Sequence, residues 1–203
     1  LTTIRAAKPD AIFASGDYTE SALLCVQARA RGLTLPIFGG DTWDATALVE
    51  LGGKAFDAFK SAEDSLNRSE MVNEAITCYN KVIELNPQNL DAKADLGVCY
   101  AEGTPQPMQG IMMLREVVQA NPKHEQAQFN LGILSVKSGQ MDKAIDRFSR
   151  VLEINPSNFE AAFLLGRCYA QTGQQEKAMT ALQSVKKGAS DARLLQQTDE
   201  LIH

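Results

Sequence analysis

The sequence has 203 residues, 44% hydrophobic and 22% charged, with a formal net charge of −5. That mild acidity excludes recruitment of nucleic acid or an anionic membrane by bulk electrostatics. No apolar run approaches the roughly 18 residues of a membrane span, and no basic-then-apolar leader opens the chain. The first residue is Leu1 rather than Met, so the true start is expected upstream.

The first expected element is a short buried strand, "DAIFAS" (10–15). Helical spacing follows in "YTESALLCVQARARGL" (18–33), closed by a glycine as helices often are. "LPIFGGD" (35–41) reads as a second buried strand and "DATALVELGG" (44–53) as a short helix. Strand, helix, strand and helix with short connections predict a partial parallel α/β (βαβα) segment.

Its wording, from Lys8 to Ala55, resembles the second lobe of type I periplasmic binding proteins, especially those serving branched-chain amino-acid ABC transporters. The resemblance implies that the loops after the two strands contact a small amino-acid ligand. It puts Asp41 on the ligand's α-amino group, with Asp17 and Tyr18 beside the site. Asp17 stands where relatives often have an aromatic, and Asp41 and Asp44 also suit helix caps. The segment holds two strands of a lobe that needs several more, so it is expected to be incomplete.

Beyond residue 55 the chain repeats itself. "VIELNPQN" (82–89), "VVQANPKH" (117–124) and "VLEINPSN" (151–158) recur, as do "LGVCY" (96–100), "LGILS" (131–135) and "LGRCY" (165–169). Prolines 87, 122 and 156 mark a period of about 34 residues, which predicts stacked helix pairs. Each Leu-Gly lets a second helix approach closely. Ala75, Ala144 and Ala178 do the same from the second helix, and Tyr79, Phe148 and Leu182 supply bulk four residues on. The residue before each proline leaves the helical region. Asn89 and Asn158 then fall where the next helix needs an N-cap.

These residues resemble the tetratricopeptide repeat family, which has helix–turn–helix units of 34 residues. The implied fold is mainly α: a helical solenoid of four helix pairs (about 56–89, 90–124, 125–158 and 159–189), then a capping helix over 190–203. In the first pair, Glu63 takes the place of the close-packing glycine and Glu70 that of the turn glycine, which predicts a loose repeat. Gly110 replaces an expected alanine at about 1 kcal/mol in helix propensity. The join at residues 54 and 55 cuts one resemblance open where the other begins, and is read as the seam of a fragment or fusion.

The family resemblance implies a concave groove, lined by the first helix of each repeat, that binds a peptide or helix of a protein partner. Carried over by position, the lining is Lys60, Asp64, Ala94, Asp95, Val98, Phe129, Asn130, Ile133, Phe163, Leu164 and Arg167. Asn130 would bond a partner's backbone and the aromatics would take its apolar side chains. Phe129 and Phe163 could equally belong to packing between repeats. The variant that clamps a C-terminal carboxylate is disfavoured, because Asp57, Asp91 and Asp95 stand where it needs cations.

Four separated cysteines and two histidines (His124 and His203) offer no metal-ligand spacing. No phosphate loop, nucleophile elbow or triad is present. The expectation is a scaffold without catalysis or cofactor. The alternative is a fragment of an amino-acid-binding component of an ABC transporter.

Overall fold

The computed structural model describes residues 12–14, 37–39, 45–61 and 65–202. Two three-residue strands, β1 (Ile12–Ala14) and β2 (Ile37–Gly39), pair in parallel with Ile12 opposite Ile37 and Ala14 opposite Gly39. The helix expected over 18–33 lies outside the described residues. Everything else described is helical or a turn between helices: α1 (Ala45–Ser61), α2 (Ser65–Leu85), α3 (Leu90–Gly103), α4 (Pro107–Ala120), α5 (Glu125–Lys137), α6 (Met141–Ile154), α7 (Phe159–Gln171), α8 (Gln175–Gly188) and α9 (Ala192–Ile202). By internal contacts the chain divides into two compact units, Leu1–Gly110 and Ile111–His203.

In the first unit α1 packs along α2, and the sequence expectation needs correcting there. The helix expected to close at Gly53 runs on without a break to Ser61. Leu48, Leu51, Ala55, Phe56 and Phe59 are buried along it. The close-packing glycine of this hairpin is Gly52: a β-carbon there would meet the Tyr79 ring at 3.0 Å. Tyr79 lies 27 residues beyond Gly52, whereas Phe148 and Leu182 lie 16 beyond Gly132 and Gly166. The surplus is about three helical turns, so a fixed 34-residue frame put the wrong residue opposite Tyr79. Glu70, expected at a turn, is an exposed residue inside α2, and Glu63 lies outside the described residues.

Gly110, at the start of α4, has a reason that propensity hides. A β-carbon there would collide with the Gly97 carbonyl and the Ala101 backbone of α3, so glycine is what lets the two helices touch. Gly103 ends α3 against Val72 in the same way.

In the second unit α5 packs on α6, α6 on α7, α7 on α8, and α9 closes on α7 and α8. One buried cluster joins Ala144, Phe148 and Val151 of α6 to Ala161, Leu165 and Cys168 of α7. The next joins Ala162 and Phe163 of α7 to Leu182 and Val185 of α8, with Leu194 and Ile202 of α9 packed on it. The expected capping helix is thus present, although Leu201 on its apolar edge is 40% exposed. Gly139 and Gly173 turn the two hairpins with φ of 72° and 76°, the left-handed region that glycine enters without strain.

The Asn-Pro pairs work as a repeated stop-and-start device. The N–H groups of Asn86, Asn121 and Asn155 close the preceding helix onto Val82, Val117 and Val151, each at 2.8 Å. Their side-chain oxygens then accept from the backbone of Gln88, Lys123 and Ser157, the Asx turn that carries the chain past proline. Three residues after each Asn comes the next N-cap: Asn89, His124 and Asn158 accept from Ala92, Ala127 and Ala161.

Candidate functional site

The same cap opens α3, α5 and α7, so residues of these helices can be compared by their distance from it. Relative to the glycines Gly97, Gly132 and Gly166, the expected lining residues occupy the positions three before, two before and one after. In the first unit Asp95 and Val98 of α3 are half-buried. Lys60 lies in the last turn of α1, exposed, with its ammonium 3.6 Å from the Asp57 carboxylate and 4.6 Å above the Phe56 ring. Its position was assigned from the displaced frame. Counted from Gly52, the matching residues are Val49, Glu50 and Gly53. Asp64 lies outside the described residues, as do Asp17, Tyr18 and Asp41 of the alternative site.

In the second unit Phe129, Asn130 and Ile133 of α5 are half-buried. Phe129 meets the buried Phe148 edge-on at 5.8 Å between centroids, and Ile133 and Leu164 pack on the α6–α7 cluster. These residues serve the core with one side and reach the surface with the other. Asn130 spends a donor within its own helix, on the Gln126 carbonyl at 2.9 Å. Phe163 is only 7% exposed and belongs to the α7–α8 cluster. Arg167, exposed, lays its guanidinium 5.8 Å from the Phe163 ring.

A cavity of about 550 Å³ opens between α7 and α9 over this part of the face. Glu160, Phe163, Leu164 and Arg167 line it from α7; Arg193, Leu194 and Gln197 line it from α9, with Asp191 from the residue before that helix. The α9 residues were not anticipated as lining, because the final helix was read only as a cap. The signal was available: Gln197 stands one 34-residue period beyond Phe163. A smaller cavity of about 420 Å³ lies between α4, α5 and α6. Its half-buried Arg147 is committed to structure. The guanidinium donates to Gln128 at 2.6 Å, and the fully buried Gln128 donates to the Pro122 carbonyl at 2.8 Å.

Three family models, each described as tetratricopeptide repeat, match residues 64–89, 106–158 and 135–197. The chain carries tetratricopeptide repeats. Its fold is also similar to solved structures. They include a crystal structure of MamA (20% identity, 81% of this chain and 96% of that one, TM-score 0.57). MamA from Desulfovibrio magneticus RS-1 is 19% identical, over 86% of this chain and 96% of that one, with a TM-score of 0.56. YrrB, a repeat protein described as having an unusual peptide-binding site, is 24% identical over 98% and 96% of the two chains, with a TM-score of 0.55. At these identities the likeness is one of fold. No curated protein matches the sequence. The family matches begin at residue 64 and lend no support to the periplasmic-binding-protein resemblance of residues 1–54.

No group of three His, Cys, Asp or Glu among the described residues could hold a metal ion. None of the described helices is long and apolar enough to cross a membrane. Cys78, Cys99 and Cys168 are buried thiols outside any disulfide. Burial, reinforced by Asp95, pushes the Cys99 thiol up to about 12, and burial also raises Cys168 against the opposing pull of Arg167. Burial and Asp95 hold the Tyr79 phenol far above its ordinary value. These groups stay neutral and act as packing.

Proposed function

We infer that this protein is an interaction scaffold, and that the repeats hold a peptide or helix of a partner protein against the first helices of successive pairs. What carries the reading is the face of the second unit. Phe129, Asn130 and Ile133 on α5 and Phe163, Leu164 and Arg167 on α7 occupy matching positions, with the α7–α9 cavity beside the second set. Apolar floors with a few polar groups at their edges suit a peptide whose side chains alternate between seat and rim. Half-buried Phe129 supplies contact area at little entropic cost, since the core already fixes it.

The test is selection of short random peptides on the full chain, followed by photocrosslinking. A photoreactive phenylalanine analogue placed at Phe129 should capture a selected peptide; the same analogue at Glu153, exposed on α6, should not. Failure to enrich any peptide, or equal capture at both positions, would sink the reading.

A further inference from the structure

We propose that the cavity between α7 and α9 takes a partner segment in which an aspartate or glutamate side chain adjoins an apolar one. The carboxylate lies against Arg167 and Arg193, and the apolar side chain against Phe163, Leu164 and Leu194. This rests on the peptide-binding reading above and names the chemistry of the partner.

The argument is one of unspent charge. Two carboxylates and two guanidiniums line the cavity, and a bare count would call it neutral. Both carboxylates, however, are placed at helix N-termini. Glu160 lies in the first turn of α7, where the positive end of the helix dipole stabilises it. Asp191 precedes α9, and its Oδ1 accepts the Leu194 N–H at 2.8 Å. The guanidiniums have no such outlet. Among the described residues Arg193 has neither an ion pair nor a hydrogen bond. Arg167 has only the Phe163 ring, which offers a face but no acceptor. A guanidinium laid on an aromatic face keeps its N–H edges directed outward for a planar acceptor, and a carboxylate matches that fork.

The apolar half of the segment follows from the floor. Phe163 and Leu194 belong to one packed cluster, so a side chain entering the cavity meets a surface that does not have to rearrange. Lysine-rich segments would leave both guanidiniums unpaired, and purely polar ones would leave the floor wet.

The experiment uses random peptides fused through their C-termini, so that no terminal carboxylate is offered, selected on the full chain. Affinities of the winners are then measured by fluorescence anisotropy on the wild type and on the Arg167→Glu/Arg193→Glu pair. An Arg167→Gln/Arg193→Gln pair serves as the milder variant should the first lose its far-ultraviolet helical signal. The expected winners carry an acidic residue next to an apolar one, bind about tenfold or more weakly to the charge-reversed protein, and weaken as much when the acid becomes its amide. Winners without an acidic preference, or bound equally by wild type and variants, overturn this proposal and leave the peptide-binding reading intact. A selection with no winners overturns both.

Discussion

Glu125 and Asn158 stand one repeat apart and are joined by a 2.8 Å hydrogen bond from the asparagine amide to the carboxylate. The same Glu125 oxygen accepts from Asn155 at 2.9 Å, and the other end of the Asn158 amide caps α7 through the Ala161 N–H at 2.9 Å. One side chain therefore starts a helix and ties it to the preceding repeat.

Replacing Asn158 should cost both jobs at once. Asn158→Ala is expected to lose about 2 kcal/mol, roughly half from the cap and half from the bond to a charged group. Asn158→Asp keeps a capping oxygen but sets a carboxylate against Glu125, and Glu125→Gln should relieve that repulsion. Urea denaturation of the single and double variants checks this; additive effects would show that the two residues do not interact.

At Gly132 packing should override propensity. An added β-carbon would stand 2.6 Å from Cε1 of Phe148, which is fully buried and has nowhere to go. Gly132→Ala gains about 1 kcal/mol of intrinsic helix preference and should still destabilise the protein by about 1–3 kcal/mol through overpacking. Phe148→Leu, the pairing that Gly166 already has with Leu182, should recover part of the loss in the double variant. Thermal or urea unfolding reads both.

His124 is a capping residue in an asparagine's place. Its Nδ1 accepts from Ala127 at 3.3 Å, longer than the 3.0 Å and 2.9 Å made by Asn89 and Asn158. His124→Asn should leave stability within about 1 kcal/mol of the wild type, whereas His124→Ala should cost about that much. A large loss on substitution by asparagine would show that the buried ring matters for its bulk.

Alkaline pH should unfold the protein partly through Cys99. Its thiol titrates near 9.0 when free and at about 12 in place, so the unfolded chain gives up this proton first. Stability attributable to it is complete below pH 9 and declines as pH rises toward 12. Cys99→Ala should flatten that limb of the stability–pH curve. Below pH 9 the folded protein should resist alkylation at Cys78, Cys99 and Cys168, read by peptide mass spectrometry.

A chain beginning at residue 55 tests where the first hairpin starts. It lacks Leu48, Leu51 and Gly52, which are buried with Tyr79 and Phe59 in the α1–α2 hairpin. We expect α2 to lose most of its hydrogen-exchange protection. Retained protection would mean that residues 45–54 contribute little to the hairpin.

Much of this protein was legible because its repeats encode their own geometry. The Asn-Pro pairs announced where α2, α4 and α6 stop, and Asn89 and Asn158 where α3 and α7 begin, since a missing helical conformation and a capping oxygen are local properties. Gly132 and Gly166, and the bulky Phe148 and Leu182, stood out from the period; that each glycine faces its bulky residue is what the structure adds. The first hairpin escaped for the same reason: a pattern with a fixed spacing has no way to signal a hairpin with longer arms, so Gly52 passed as part of a different element.

The sequence by itself determined the helix ends at the Asn-Pro pairs, the close-packing glycines of the second unit and the identity of the repeats, all set by interactions within a few residues or one period. Tertiary structure alone decided which glycine faces Tyr79, why Gly110 cannot be alanine, and that Phe163 is more core than surface. It also decided that α9 lays Arg193 and Leu194 beside Arg167. Those facts depend on how far one helix slides along another. The sliding is fixed by the fit of whole faces, which is written across many residues and in no single motif.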